Sequence, residues 1–184
     1  MPFEPAQVVV GAILGLAATG VLRFWQYGRD LYIASVNECC DTISEAARVA
    51  TEYWTLPKSE LPSDVSATSE QKEEHKTQVL NEAFLLGYQI AIDRSFEVVA
   101  SRISQNDNIR SSEFLKIFRD ALTGGRYGSL GREPDHERAR QAQVYSSELI
   151  ASIRSSARDA LSVRGLLVYI KEYSISVRNK YLRP

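Results

Sequence analysis

The densest grouping of residues able to do chemistry is the run TGGRYGSLGREPDH, residues 123–136. Gly124, Gly125, Gly128 and Gly131 alternate there with Arg126, Arg132 and His136, and Arg138 follows. Glycines let backbone N–H groups approach an anion, and guanidinium forks match phosphate oxygens. Arg126, Arg132, His136 and Arg138 are therefore the candidate contacts for an anion or RNA. The run lacks the GxxxxGK[ST] order of a phosphate-binding loop, and no strand pattern precedes it. In a second reading Gly124 and Gly125 end a helix and the other glycines allow a flexible connection. His75 and His136 lie far apart and neither belongs to HExxH, so no metal and no cofactor is expected. Cys39 and Cys40 are adjacent, a spacing poorly suited to a structural disulfide, and read as reduced packing residues. No GxSxG or Cys/His signature is present, and the carboxylates of EQKEEHK read as the acidic start of a helix. No catalytic residue is expected and the chain reads as non-enzymatic.

These residues need a scaffold, and its clearest landmark is Ala6 to Leu22, seventeen residues without a charge. That is just long enough to cross a bilayer, with Phe24 and Trp25 extending it if Arg23 reaches back to the headgroups. A cleavable signal peptide would carry basic residues ahead of the apolar run. Here the leader holds Glu4, and Arg23 and Arg29 follow the run. The expectation is an uncleaved single-pass anchor in the inner (cytoplasmic) membrane, N-terminus out, with the rest in the cytoplasm. Gly11, Gly15 and Thr19 share one helix face, the small-residue spacing that lets spans pack closely. The domain division is thus 1–25, leader and anchor, and 26–184, a helical bundle.

Overall composition is ordinary for a globular chain: 184 residues, 44% hydrophobic, formal net charge −1. Its distribution is uneven, because residues 126–184 hold 11 Lys+Arg against 6 Asp+Glu, a net of +5, which leaves −6 for residues 1–125. Such a basic third meets lipid headgroups, nucleic acid, a neighbouring copy or the acidic half of its own fold.

The periodicity predicts an all-α fold with four long helices. The first continues from the span through an apolar stripe at Val36, Cys39/Cys40, Ile43, Ala46/Ala47, Ala50 and Tyr53/Trp54, and stops before Pro57. The second starts near Ser69, and its apolar positions, Val79/Leu80, Ala83/Phe84, Gly87, Ile90/Ala91, Phe96, Val98/Val99 and Ile103, support a helix to about Gln105. A polar connector, Gln105 to Arg110, precedes a short third helix from Ser111 with Phe114, Ile117/Phe118 and Ala121/Leu122 inside. The last runs from Asp135 to Tyr181. Its steps of four and three place Leu149, Ile153, Ala160, Val163, Leu167 and Ile170 in a seam that packs in the bundle or joins copies.

One amino-terminal span followed by a compact bundle of about four helices resembles the membrane-anchored, HEPN-like accessory proteins of type VI-B CRISPR antiviral systems. The resemblance implies an oligomeric membrane pore in antiviral defence. HEPN ribonucleases place four to six residues between an Arg and a His; Arg132 and His136 are separated by one fewer, which favours the fold without the activity. The expectation is a non-enzymatic, homo-oligomeric membrane effector or pore-forming protein of bacterial antiphage defence. Its partners would be membrane lipid, further copies, and a cytoplasmic protein or RNA trigger, with no DNA. Two alternatives stay open: a membrane tether whose bundle recruits a cytoplasmic partner, and a membrane-bound ribonuclease using Arg132 and His136.

Overall fold

The computed structural model describes residues 5–57 and 68–162, without the side chains of residues 5–14, 17, 18, 21 and 71. These form four helices: α1 (Pro5–Thr55), α2 (Ser69–Ala100), α3 (Gln105–Thr123) and α4 (His136–Ala160), with no strand among the described residues. The all-α fold is as the periodicity predicts.

α1 is one uninterrupted helix of 51 residues. Its inward stripe is the predicted one: Val36, Cys39, Cys40, Ile43, Ala46, Ala47, Ala50, Tyr53 and Trp54 are all buried. The alanines let neighbouring helices come close, while Ile43, Tyr53 and Trp54 supply most of the apolar area. α2 and α4 pack on either side of α1, α3 packs on α4, and α2 touches α3 much less. The tyrosine hydroxyl of Tyr32 donates to the Val99 carbonyl (3.2 Å) and that of Tyr53 to Glu82 (3.1 Å), so α2 runs antiparallel to α1. Gln143 donates to the Ala47 carbonyl (3.1 Å) near one end of α4, and the Asp135 amide to the Trp54 carbonyl (2.7 Å) at its start. The course is up and down throughout, and one pole of the bundle carries the carboxyl ends of α1 and α3 and the amino end of α4.

Before Tyr32 no side chain of α1 is buried among those described; Leu16, Leu22, Phe24, Tyr27 and Leu31 are exposed, Phe24 by 80%. Residues 5–31 thus extend past the bundle as a stalk about 40 Å long at 1.5 Å per residue. Among the described residues no helix is long and apolar enough to cross a membrane. The span expected over 6–22 falls largely on side chains outside the described residues, and Gly11 is one of these positions.

Three sequence expectations are corrected. α2 ends at Ala100 and not near Gln105; its buried residues are Gln78, Asn81, Leu85, Ile92, Phe96 and Val99, whereas Val79, Leu80, Phe84, Ile90 and Val98 face outward. α2 carries apolar residues on two faces, so periodicity alone does not single out the one that meets α1. Gln105 to Arg110 is not a connector: Ser104 caps α3, its hydroxyl accepting from the Asp107 amide (3.3 Å) and donating to the Asp107 carboxylate (2.6 Å). α4 stops at Ala160 instead of running on to Tyr181. The Ser162 amide and hydroxyl both turn back to the Asp159 carbonyl (3.2 and 2.6 Å), satisfying it locally. Val163, Leu167 and Ile170 lie outside the described residues; Leu149 and Ile153 are buried between helices and Ala160 is half-buried.

Candidate functional site: a basic pocket where helix ends meet

The four candidate anion contacts come together. Arg126, Arg132, His136 and Arg138 line one pocket of about 380 Å³ with Trp54, Gly125, Glu133, Pro134 and Asp135. The pocket sits where α1 and α3 end and α4 begins. A helix carboxyl end exposes carbonyls bearing partial negative charge, and a guanidinium is well matched to several of them at once. Arg132 does this for α1: Nη2 donates to the Tyr53 carbonyl (2.6 Å) and the Leu56 carbonyl (2.9 Å). Arg138 does it for α3, donating through Nη1 to the Asp120 carbonyl.

Trp54 is the hub. Its ring is 1% exposed, and Nε1 donates to the carbonyls of Ala121 (3.0 Å) and Leu122 (3.2 Å), which ties α1 to the last turn of α3. The Arg132 guanidinium lies 4.8 Å from the Trp54 ring centre and 4.3 Å from that of Tyr53; Arg138 lies 5.1 Å from Trp54. Tyr53, Trp54 and Tyr127 form an aromatic cluster with centroids 4.9 to 6.5 Å apart. Burial pushes the hydroxyl pKa of both tyrosines up, so both stay protonated donors. The Tyr127 hydroxyl donates to the Glu82 carbonyl (2.6 Å), and the Gly128 amide donates to the Tyr53 hydroxyl (2.9 Å).

The glycines act through the backbone. Gly125 sits at φ +63°, a left-handed conformation, and a Cβ there would come within 2.8 Å of the Arg138 guanidinium. At Gly124 a Cβ would collide with the Asp120 carbonyl and side chain, so the chain passes this corner only without one. Asp135 then caps α4, accepting from the Arg138 amide (2.9 Å), and stands 3.8 Å from Arg138 Nε.

The pocket's cations are not equivalent. Arg132 is 3% exposed, and its Nη groups are committed to carbonyls; its Nε is buried without a hydrogen-bond partner. Arg138 is paired with Asp120 and Asp135. Arg126 and His136 are exposed at the rim. The arrangement therefore joins three helix ends and leaves Arg126, Glu133 and His136 exposed at the rim. Arg132 is buried against carbonyls while His136, lining the same pocket, is exposed. Among the described residues no cluster of three or more His, Cys, Asp or Glu is placed to hold a metal.

The other sequence candidates lie elsewhere. Thr19 donates to the Gly15 carbonyl (2.8 Å) on the stalk, where a Cβ added at Gly15 would meet open space. Sequence reasoning missed Tyr53, Trp54 and Tyr127 as partners of the arginines, because 67 or more residues separate Trp54 from Ala121 and Arg132 and no spacing rule connects them.

No family model, no curated protein and no solved structure matches this chain.

Proposed function

We propose that this protein is a non-enzymatic effector that a single helix tethers to the bacterial inner membrane, N-terminus out, and that works as a homo-oligomer. The observation that carries this reading is the outer face of α2. Leu80, Phe84 and Ile90 form an apolar strip along it as far as Arg94, with Val98 beyond; Phe84 is 53% and Ile90 57% exposed. Contiguous apolar surface of this kind marks an interaction site far more often than it survives bare on a monomer. In its middle Ala83, Gly87 and Ala91 make a shallow trough, and nothing lies within 4 Å of a Cβ added at Gly87. A large apolar side chain of a second copy fits such a trough. The uncharged run Ala6–Leu22 supplies the tether, and Gly11, Gly15 and Thr19 a second self-association face within the lipid.

In this reading the basic pocket around Arg126 and His136 receives the trigger, and its coupling to assembly runs through the carboxyl end of α1. The resemblance to type VI-B accessory proteins adds antiviral defence as the setting and an assembled pore as the output. The test is the mass of the full-length protein in nanodiscs, beside Phe84→Glu/Ile90→Glu and Gly11→Leu/Gly15→Leu. A discrete assembly of several copies that dissociates in the α2 variant supports the proposal and justifies conductance measurements. A monomer indifferent to both pairs of substitutions sinks it and leaves a tether for a cytoplasmic partner.

A further inference from the structure

The pole of the bundle opposite the basic pocket carries its own pattern. Here α1 leaves as the stalk, α2 ends, α3 begins and α4 ends. Residues 23–33, 94–110 and 154–162 bring seven arginines to this pole against four carboxylates. At the other pole residues 45–57, 69–82 and 113–140 carry nine Lys+Arg against eleven Asp+Glu. Among the described residues the bundle is electrically polarised along its length, positive toward the stalk.

The arginines are positioned beside apolar and aromatic surface. Arg102, in the turn after α2, reaches across to α1, where it donates to the Gly28 carbonyl (3.0 Å) and lies 5.2 Å from the Tyr32 ring centre. Arg29 lies 5.7 Å from the Trp25 ring centre, and Phe24, Tyr27 and Leu31 are exposed around the base of the stalk. Between α1 and α4 the same pole opens a groove of about 550 Å³, walled by Ile33, Val36, Ala157 and Leu161 and rimmed by Arg154 and Arg158. Apolar walls with a guanidinium rim, next to amphipathic rings, are the pattern that accepts an acyl chain below and a phosphate above.

We infer that the stalk-side pole of the bundle is a docking surface for acidic phospholipid, with Arg29, Arg102 and Arg158 holding headgroup phosphates and the α1/α4 groove taking apolar chain. This rests on the membrane-tethered reading above and names the lipid class that the tether delivers the bundle onto. The charge polarity decides against a second copy here, since two such poles would repel. It also decides against lipid at the far pole, where carboxylates are in excess.

The test uses full-length protein in two measurements. First, flotation with neutral phosphatidylcholine vesicles reads the tether alone: the wild type and an Arg29→Gln/Arg102→Gln/Arg158→Gln variant should both float, and failure of both overturns the tether and this surface with it. Second, native mass spectrometry of detergent-solubilised protein titrated with phosphatidylglycerol or phosphatidylcholine reads the surface. Each basic residue near an anionic surface contributes roughly fivefold in affinity, so the triple variant should lose on the order of a hundredfold of its phosphatidylglycerol retention. An Arg48→Gln/Arg140→Gln variant at the far pole should lose none. Equal retention of the two lipids by wild type, or phosphatidylglycerol retention unchanged in the triple variant, overturns the inference while leaving the tether intact. Because Arg102 also bonds to Gly28, thermal unfolding of each variant accompanies the titration. A triple variant that melts like wild type and has lost phosphatidylglycerol supports the inference. If it melts early, Arg29→Gln/Arg158→Gln is used instead, with a loss of about twentyfold expected and none overturning the inference.

Discussion

Arg132 shows how a residue type suited to ligand chemistry becomes part of the frame. Its guanidinium answers two carbonyls at the end of α1 and stacks on Trp54 and Tyr53. Charge-assisted hydrogen bonds are the stronger kind, and removing the donor leaves buried carbonyls unsatisfied. Arg132→Met should therefore destabilise the fold by about 3 kcal/mol, read as a shift in the urea midpoint. Lysine should rescue little of this, because a single ammonium cannot reproduce the planar fork. The buried thiols make a prediction about pH. Burial raises both, Cys40 to about 11 from an ordinary value of 9.0, and burial likewise pushes Tyr32 up to about 12. A raised folded-state pKa means the contribution is intact below about 9 and lost as pH climbs through 11, because the unfolded chain releases its protons first. The urea midpoint should fall steadily across that interval, and Cys40→Ala should flatten the fall.

At the scale of the helix, α2 is the instructive element. Leu85 is fully buried and Leu86, its neighbour, is exposed. Leu85→Ala should cost about 2–5 kcal/mol, whereas Leu86→Ala should leave the urea midpoint within about 0.5 kcal/mol of wild type. The inward stripe of α1 was legible because its outward side is polar, with Glu38, Asp41, Glu45, Arg48 and Glu52. α2 offered two apolar faces, and the buried one includes Gln78 and Asn81, which no hydropathy pattern would place inside. The choice between faces depends on where α1 lies, information that is not local to α2. α3 was misread at its start because Asn and Asp suggest a turn, yet Ser104 and Asp107 have the spacing of a reciprocal cap. The site was half legible for the same reason: Arg126, Arg132, His136 and Arg138 are neighbours in the chain, but the aromatic surface beneath them arrives from α1.

At the scale of the molecule, two poles of opposite character are separated by the length of the bundle. The stalk-side pole is basic, rimmed with aromatic rings and open to a groove; the far pole carries an excess of carboxylates and holds the Trp54 junction. α1 connects them without a break, from Pro5 to Thr55. At 1.5 Å per residue it is a rod about 75 Å long, with Trp54 near one tip. From Tyr32 to Trp54 its inward apolar side chains are buried against α2 and α4, so the bundle cannot swivel about this helix. Stalk and Trp54 junction therefore share one helical register, and whatever fixes the azimuth of the stalk fixes the direction in which the pocket at the far pole faces. The helix is a mast: its foot is the stalk, and its heading is set by the helices clamped around it.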